Sequence, residues 1–190
     1  MTESKKIAFN YAGYETKGNK ITLEPRKNNQ GIEREYIINP YYMAASNGRY
    51  YLICNNDAYD NLSIYRMDRI LNVQTLENRR KPTKEVKGLG PNFKLNDYMQ
   101  ENIYMFGGEA EYVRLRVQKI FLDEFNDWFK LNDINVLDTT EDHLVVRVKS
   151  NKMAMRRWAL RYSLYAQVLE PEDLAGEIKA DLKKALENYN

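Results

Sequence analysis

The sequence predicts an α+β protein in which a small β-barrel precedes a domain of alternating strands and helices. Two observations favour this division. Residues 1–78 contain several short runs of strand-forming residues, separated by turn residues and without a helical period. Residues 111–190 instead alternate between strand-like and helix-like hydrophobic periods. Between them, we expect residues 79–110 to be a linker that contains a short helix.

The turns of the first domain define its strands. Asn47-Gly48 is the strongest hairpin signal, because both residues accept the positive φ angles of a type I′ turn. The pair predicts antiparallel pairing of residues 42–45 with 50–53. Pro40 is expected to end the strand before it. The other predicted strands are at 5–11, 21–23, 35–38, 62–65 and 70–73. Many short strands in one small domain are typical of a barrel.

The linker is basic and rich in residues that interrupt helices. Its cations are Arg79, Arg80, Lys81, Lys84 and Lys87, and its helix breakers are Pro82, Gly88, Gly90 and Pro91. We expect a short helix at 97–106, ended by Gly107-Gly108. A basic run of this kind is usually a solvated linker, and contact with phosphates is the alternative.

The second domain has the order β-α-β-β-α-β-α. Val113, Leu115 and Val117 alternate with arginines, which is typical of a strand with one wet face. An amphipathic helix is predicted over residues 121–129 from the spacing of its aromatic residues. The remaining elements are strands at 136–137, 144–149 and 167–170, and helices at 155–162 and from Pro171 onward. This order is that of a ferredoxin-like βαββαβ sandwich with an extra C-terminal helix.

Composition narrows the classes of function. The chain has 190 residues, and 29 Lys and Arg against 27 Asp and Glu give a net charge of +2. This charge excludes a polycationic protein but leaves room for a local basic pocket. With one Cys (Cys54) and one His (His143), the chain can form neither an intrachain disulfide nor a Cys/His zinc site. We therefore expect no metal and no cofactor.

Catalysis and membrane insertion are disfavoured as well. The sequence contains no phosphate-binding glycine loop and no nucleophile elbow. His143 lies at the start of a predicted strand without a nucleophile, and Cys54 ends an apolar strand, as a buried thiol does. No apolar run reaches the length of a membrane span, and the N-terminus lacks a signal-peptide core. The sequence thus predicts a soluble, cytoplasmic protein that is not an enzyme.

One segment combines arginines with tyrosines. Its members lie on or beside predicted neighbouring strands and are Tyr41, Tyr42, Arg49, Tyr50, Tyr51, Arg66 and Arg69. Guanidinium groups beside aromatic rings can stack flat groups and bind phosphates through paired hydrogen bonds. The structural alternative is that the tyrosines belong to the core and that Arg69 pairs with Asp68 or Glu77.

The same segment resembles the WYL domain of bacterial transcriptional regulators, and the rest of the chain resembles the C-terminal extension domain that usually follows it. Tyr50-Tyr51-Leu52 stands where the family has Trp-Tyr-Leu, and residues 40–43 match its proline box with Met in place of the usual Leu. The Arg-x-Asp-Arg-Ile signature is intact at 66–70. Residues 158–162 and 168–171 resemble the closing pattern of the extension.

The resemblance implies an SH3/Sm-like barrel that senses a ligand through a basic pocket. The ligand would be a nucleic acid or a nucleotide-like anion. By position, the pocket would be lined by Tyr41, Arg49, Tyr51, Arg66 and Arg69. The extension domain would support a homodimer, and in some members it contacts nucleic acid.

Family members usually carry an N-terminal winged helix-turn-helix that reads DNA. Here the first predicted strand begins near residue 6. Two alternatives follow from the resemblance. The chain is either a fragment of a regulator whose DNA reader lies on a missing N-terminal segment, or a short stand-alone protein.

Two hypotheses for the function follow. In the first, the chain is the ligand-sensing and dimerisation portion of a WYL-family regulator, and ligand binding shifts the arrangement of its dimer. In the second, the barrel and the sandwich only mediate dimerisation or another protein–protein interaction. The second hypothesis predicts that the pocket arginines are paired with protein carboxylates. A nucleic-acid-processing enzyme is a third class, for which the sequence offers no candidate residues.

Overall fold

Six strands form the first sheet: β1 (Lys5–Lys17), β2 (Lys20–Pro25), β3 (Glu35–Ser46), β4 (Arg49–Asn55), β5 (Leu62–Arg66) and β6 (Ile70–Arg79). In this computed structural model, which describes residues 4–105 and 108–189, the strands run antiparallel in the order β2-β1-β3-β4-β5. Strand β6 also pairs with β1, so the sheet curls back on its first strand. This curled sheet confirms the predicted SH3/Sm-like barrel.

The β3–β4 hairpin is present as predicted, whereas two predicted strand ends are wrong. Asn47 and Gly48 have φ angles of 49° and 70°, and Ser46 pairs with Arg49. Pro40 does not end its strand, because a register shift between Pro40 and Tyr42 lets β3 continue to Ser46. Strand β1 extends beyond residue 11 to Lys17, since its second half pairs with β2.

Half of the residues in the buried cluster inside the barrel are aromatic. Its buried members are Phe9, Tyr11, Tyr36, Ile38, Leu52 and Cys54. Phe9 and Tyr36 stack with ring centroids 5.7 Å apart, and Tyr11 meets Tyr65 edge to face at 4.9 Å. Burial raises the pKa of the Tyr65 hydroxyl to about 12 and also raises the pKa of the Cys54 thiol. Part of the tyrosine excess therefore serves the core.

A buried asparagine joins the barrel to the segment after β6. Asn39 is fully buried, and its Nδ2 donates to Asp57 Oδ1 at 2.7 Å and to the Asn55 carbonyl at 3.3 Å. Its Oδ1 accepts a hydrogen bond from the Lys81 backbone N–H at 2.8 Å. Hydrogen bonds from Lys6 and Asn39 lower the pKa of the Asp57 carboxyl. Asn39 thus fixes β3, the loop after β4 and the chain beyond β6 to one another.

The segment after β6 belongs to the first unit and leads into a short helix. The rings of Tyr42 and Phe93 lie 5.1 Å apart. Helix α1 (Leu95–Glu101) and a 3₁₀ turn (Ile103–Met105) occupy most of the predicted helix at 97–106, whose last residue, Phe106, lies outside the described residues together with Gly107. The chain divides into two compact units between Leu95 and Asn96. The domain boundaries predicted at 78 and 110 stay a prediction.

The second unit alternates strands and helices in the predicted order. Its further elements are β7 (Ala110–Gln118), α2 (Leu122–Trp128), β8 (Asn135–Thr139), β9 (His143–Asn151), α3 (Lys152–Arg161), β10 (Ala166–Glu170) and α4 (Glu172–Glu187). The sheet order is β10-β7-β9-β8, antiparallel throughout. This topology confirms the ferredoxin-like sandwich, and α4 is the extra C-terminal helix.

Strand faces and helix stripes of the second unit meet in one core. Trp158 of α3 is fully buried and contacts Phe125 of α2 at a centroid distance of 5.8 Å. Trp128 packs at the edge of the same core and donates from Nε1 to Tyr162 Oη at 3.0 Å. Burial of large aromatic side chains removes much apolar surface from water and so stabilises this core. Both tryptophans of the chain therefore belong to the second unit.

Candidate anion-binding site

The junction between β5 and β6 carries three charged side chains. Strand β5 ends at Arg66, a 3₁₀ turn spans Met67–Arg69, and β6 begins at Ile70. Asp68, within the turn, accepts hydrogen bonds from Arg66 Nε at 3.1 Å and from Arg66 Nη2 at 2.6 Å. These hydrogen bonds raise the pKa of Arg66 and lower the pKa of Asp68. The carboxylate therefore fills the guanidinium fork of Arg66.

Two tyrosines of β1 and three arginines form what we call the tyrosine–arginine cluster: Tyr11, Tyr14, Arg26, Arg66 and Arg69. The Arg69 guanidinium carbon lies 4.9 Å from the Tyr11 ring centroid and 5.7 Å from that of Tyr14. Arg26 approaches the Tyr11 ring at 5.6 Å. The Arg66 backbone N–H donates to Tyr11 Oη at 3.2 Å. Arg69 thus sits at cation–π distance from both rings, and Arg26 sits at cation–π distance from Tyr11.

Two guanidinium groups lie beside Gly13 of β1. A Cβ at Gly13 would lie 3.8 Å from Arg69 Nη2 and 3.9 Å from Arg26 Nε, so both groups lie over the same residue. Arg69 Nε donates to the Ala12 carbonyl at 2.8 Å. Within residues 4–105 and 108–189, neither Arg26 nor Arg69 forms an ion pair with a carboxylate. Beside them, the Tyr14 ring is 58% exposed. Such an arrangement can bind an anion that carries a flat group.

Four of the five residues predicted from the sequence converge on this region. Arg66 and Arg69 belong to the cluster. Tyr51 is buried and lies directly opposite Arg66 in the β4–β5 ladder. Arg49 is exposed, and its charge helps to lower the pKa of Asp68, after the hydrogen bond from Arg66. Their role in ligand binding stays a prediction.

Tyr41, the fifth predicted residue, has a different set of contacts. Its side chain is buried, and its Oη donates to the Lys81 carbonyl at 2.7 Å. The Arg80 guanidinium lies over its ring at 5.1 Å. Burial raises the pKa of the Tyr41 hydroxyl to about 12. These contacts hold the chain after β6, and the structure does not bring Tyr41 into the tyrosine–arginine cluster.

Sequence reasoning missed Tyr11, Tyr14 and Arg26. It ended the first strand at residue 11, whereas β1 continues and places Tyr14 opposite Leu23 of β2. Arg26 directly follows β2, and its backbone N–H donates to the Tyr11 carbonyl at 2.9 Å. The available signal was Gly18-Asn19, a two-residue turn of the kind that joins the strands of a hairpin.

The described residues offer neither a metal site nor a membrane span. No group of three or more His, Cys, Asp and Glu side chains within 4–105 and 108–189 could hold a metal ion. None of the helices in that part of the chain is long and apolar enough to cross a membrane.

Comparison with known proteins matches two known domains to this chain. The WYL domain matches residues 1–75, and the WCX domain, an extension that follows WYL domains, matches residues 106–186. No curated protein sequence matches the chain. Among solved structures, a CRISPR Cas-related protein is similar over 98% of this chain and 48% of its own, with a TM-score of 0.52 and 13% identity. The Proteasome accessory factor B/C (PafBC) of Arthrobacter aurescens is similar over 98% and 25%, with a TM-score of 0.39 and 13% identity.

These comparisons differ in what they establish. The chain spans less than half the length of each of the two solved structures. The similarity to the CRISPR Cas-related protein shows a shared fold. The two domain matches follow each other in the order of the two units and together cover most of the chain. This chain, a WYL domain followed by a WCX domain, belongs to the WYL-domain family.

Proposed function

We propose that this chain is the ligand-sensing and dimerisation portion of a WYL-family transcriptional regulator. Its ligand is a nucleic acid or a nucleotide-like anion, bound at the tyrosine–arginine cluster together with Arg49 and Tyr51. Binding favours one arrangement of a homodimer and thereby acts on a DNA-reading segment. The proposal includes no catalytic step.

The observation that carries the proposal is a pair of neighbouring cations beside an exposed ring. Arg26 and Arg69 lie over Gly13 without a carboxylate partner among the described residues. Two positive charges beside the same residue repel each other, so a pair of arginines with a purely structural role would be stabilised by a nearby carboxylate. A bound phosphate supplies that negative charge, and the Tyr14 ring offers a face for a base.

One residue supports the alternative, an interaction module without a small ligand. That hypothesis predicts that the pocket arginines are paired with protein carboxylates, and Arg66 is paired with Asp68. Arg69 instead bonds a backbone carbonyl and stacks on tyrosine rings. The two hypotheses differ in whether the cluster binds an added anion, so a binding measurement separates them.

For the homodimer, we propose a groove of the second unit as the contact. Strand β10 is at one edge of its sheet, and α4 packs beside it. Leu182 and Leu186 of α4, which are 39% and 64% exposed, line a groove of about 620 Å³ together with the buried Val168 and Ile178. Apolar side chains beside an open strand edge favour association with another chain.

The binding half of the proposal is tested by fluorescence anisotropy. Labelled single-stranded DNA, RNA and duplex DNA are titrated across a salt series with wild type, Arg66→Ala and Arg69→Ala. We expect wild type to bind one of them and each variant to bind it about tenfold more weakly, because a hydrogen bond to a charged group contributes about 1.5–3 kcal/mol. Each lost phosphate contact should also lower the salt slope by about 0.7 for a single strand.

Arg79→Ala is the matched control. Arg79 is exposed at the end of β6 and outside the cluster, so the variant loses the same charge and should bind like wild type. Equal binding by wild type, Arg66→Ala and Arg69→Ala would contradict the site. Absence of binding to all three nucleic acids would favour the interaction module.

A further inference from the structure

The guanidinium fork of Arg66 is occupied before any ligand arrives. Its two donors hold the two carboxylate oxygens of Asp68 at 3.1 and 2.6 Å, which is the side-by-side geometry in which arginine also binds phosphate. The Arg66 side chain is 22% exposed and that of Asp68 is 52% exposed. The carboxylate therefore has a direct path into solvent.

Asp68 lies among several cations. Arg49 adds to the positive field at its carboxyl. Arg26 and Arg69, over Gly13, form no ion pair within residues 4–105 and 108–189. Arg66 and Arg49 therefore act on this carboxylate, and Arg26 and Arg69 of the same cluster leave further positive charge uncompensated while Asp68 is in place.

The backbone around Asp68 is fixed, so its side chain can leave without unfolding the turn. The Ile70 backbone N–H donates to the Met67 carbonyl and closes the 3₁₀ turn. On either side, the Arg66 backbone N–H bonds to Tyr11 Oη and the Arg69 side chain bonds to a carbonyl of β1. Rotation of the Asp68 side chain alone frees the fork.

From this geometry we infer that Asp68 is a resident counter-ion and that the ligand which displaces it carries a terminal phosphate monoester. This inference rests on the proposed function. A phosphodiester inside a strand brings one negative charge, which is no more than the carboxylate it must displace from Arg66. A terminal phosphate brings nearly two charges at neutral pH. One of these negative charges takes the place of the Asp68 carboxylate at Arg66, and the second is compensated by Arg26 and Arg69. The site therefore selects a phosphorylated strand end or a nucleoside monophosphate over internal backbone.

Two labelled single-stranded DNAs of one sequence, with a 5′-phosphate or a 5′-hydroxyl and the dye at the 3′ end, test this inference. We expect wild type to bind the phosphorylated strand about fivefold more tightly. Asp68→Asn should bind the hydroxyl strand about fivefold more tightly than wild type does, because the strand no longer has to displace an exposed ion pair, which contributes up to about 1 kcal/mol. The variant should therefore distinguish less between the phosphorylated strand and the hydroxyl strand. Glu77→Gln removes the same charge from a side chain that is 95% exposed and outside the cluster, so it should keep the wild-type preference.

The outcomes separate the inference from the proposed function. If Asp68→Asn binds the hydroxyl strand no more tightly than Glu77→Gln does while Arg66→Ala still weakens binding, the counter-ion is overturned and the proposed function stands. Equal wild-type affinity for the two strands overturns the preference for a terminal phosphate. If no variant binds either strand, the proposed function fails as well. Asp68→Asn keeps an oxygen that accepts from Arg66, and a melting temperature equal to that of wild type shows that it is folded.

Discussion

The three arginines of the tyrosine–arginine cluster are held by different contacts, and these contacts determine how much we expect each arginine to contribute to ligand binding. Arg69 is anchored by the Ala12 carbonyl and by two rings, so its guanidinium group is in position before a ligand binds. Arg66 is anchored by a carboxylate that a ligand must replace. Arg26 is exposed and lies over the Tyr11 ring. A side chain that is already fixed loses little conformational entropy when a ligand binds, so the ordering cost is smallest for Arg69.

Asn39 is the single residue on which we expect the first unit to depend most. Asn39→Ala removes its hydrogen bonds to Asp57 and Asn55 and leaves the Lys81 backbone N–H without its acceptor. Such a loss at a buried site costs about 2 kcal/mol of unfolding free energy. Urea denaturation followed by far-UV circular dichroism measures it. Asn92→Ala, at an exposed position, should change stability by less than about 0.5 kcal/mol, and an equally small change for Asn39→Ala would contradict its assigned role.

At this scale the sequence predicted two members of the tyrosine–arginine cluster, whose role in binding stays a prediction. Arg66 and Arg69 could be predicted because they lie in one short local signature. Tyr11 and Tyr14 were not, because more than fifty residues separate Tyr11 from the Arg66 N–H that it accepts, and only the folded sheet brings them together. Tyr41 and the arginines are close in the motif order, yet the bulge at Pro40 gives Tyr41 other partners.

Among the elements, helix α3 has a well-defined start. Asn151 is its N-cap, and Oδ1 accepts hydrogen bonds from the backbone N–H groups of Met153 at 3.0 Å and Ala154 at 3.3 Å. Gly108 has a φ of +148° and packs so closely that a Cβ there would collide with Asn151 Nδ2. The cap therefore ties the helix to the chain that enters β7.

Loss of this cap should weaken the second unit measurably. Asn151→Ala is expected to lower the free energy of unfolding by about 1 kcal/mol, whereas Asn151→Ser keeps an accepting oxygen and should recover most of it. Denaturation followed by tryptophan fluorescence is the suitable measurement, because Trp158 lies in α3. Equal stabilities of the Ala and Ser variants would show that the cap contributes nothing.

The elements that the sequence predicted well are those with strong local signals. Asn47-Gly48 determined the hairpin through its own backbone preferences, and hydrophobic periods determined the order of the second unit. The predictions failed where pairing partners decide. The second half of β1 carries few apolar residues and is a strand because β2 lies beside it. Pro40 sits inside β3 because a bulge removes the need for its N–H.

For the whole molecule, we expect a homodimer formed through the groove beside α4. Light scattering should give wild type a mass of about twice 22.5 kDa. The double variant Leu182→Glu/Leu186→Glu places charges on the apolar stripe and should be a monomer, because burying unpaired carboxylates is unfavourable. Ile120→Glu changes an apolar side chain that is 86% exposed outside the groove and should remain a dimer. A monomeric wild type contradicts dimerisation, and a dimeric double variant places the contact elsewhere.

The position of the two tryptophans has a consequence for watching this protein at work. Trp128 and Trp158 lie in the second unit, whereas the tyrosine–arginine cluster lies in the first. Fluorescence excited in tryptophan alone therefore comes from the WCX domain, and the WYL barrel contributes no emission of its own to it. If this emission changes while a ligand is titrated, binding to the WYL domain has altered the surroundings of a tryptophan in the WCX domain. If anisotropy shows binding while the emission stays constant, the effect of the ligand is confined to the WYL domain. The chain thus carries a native, label-free reporter of communication between its domains.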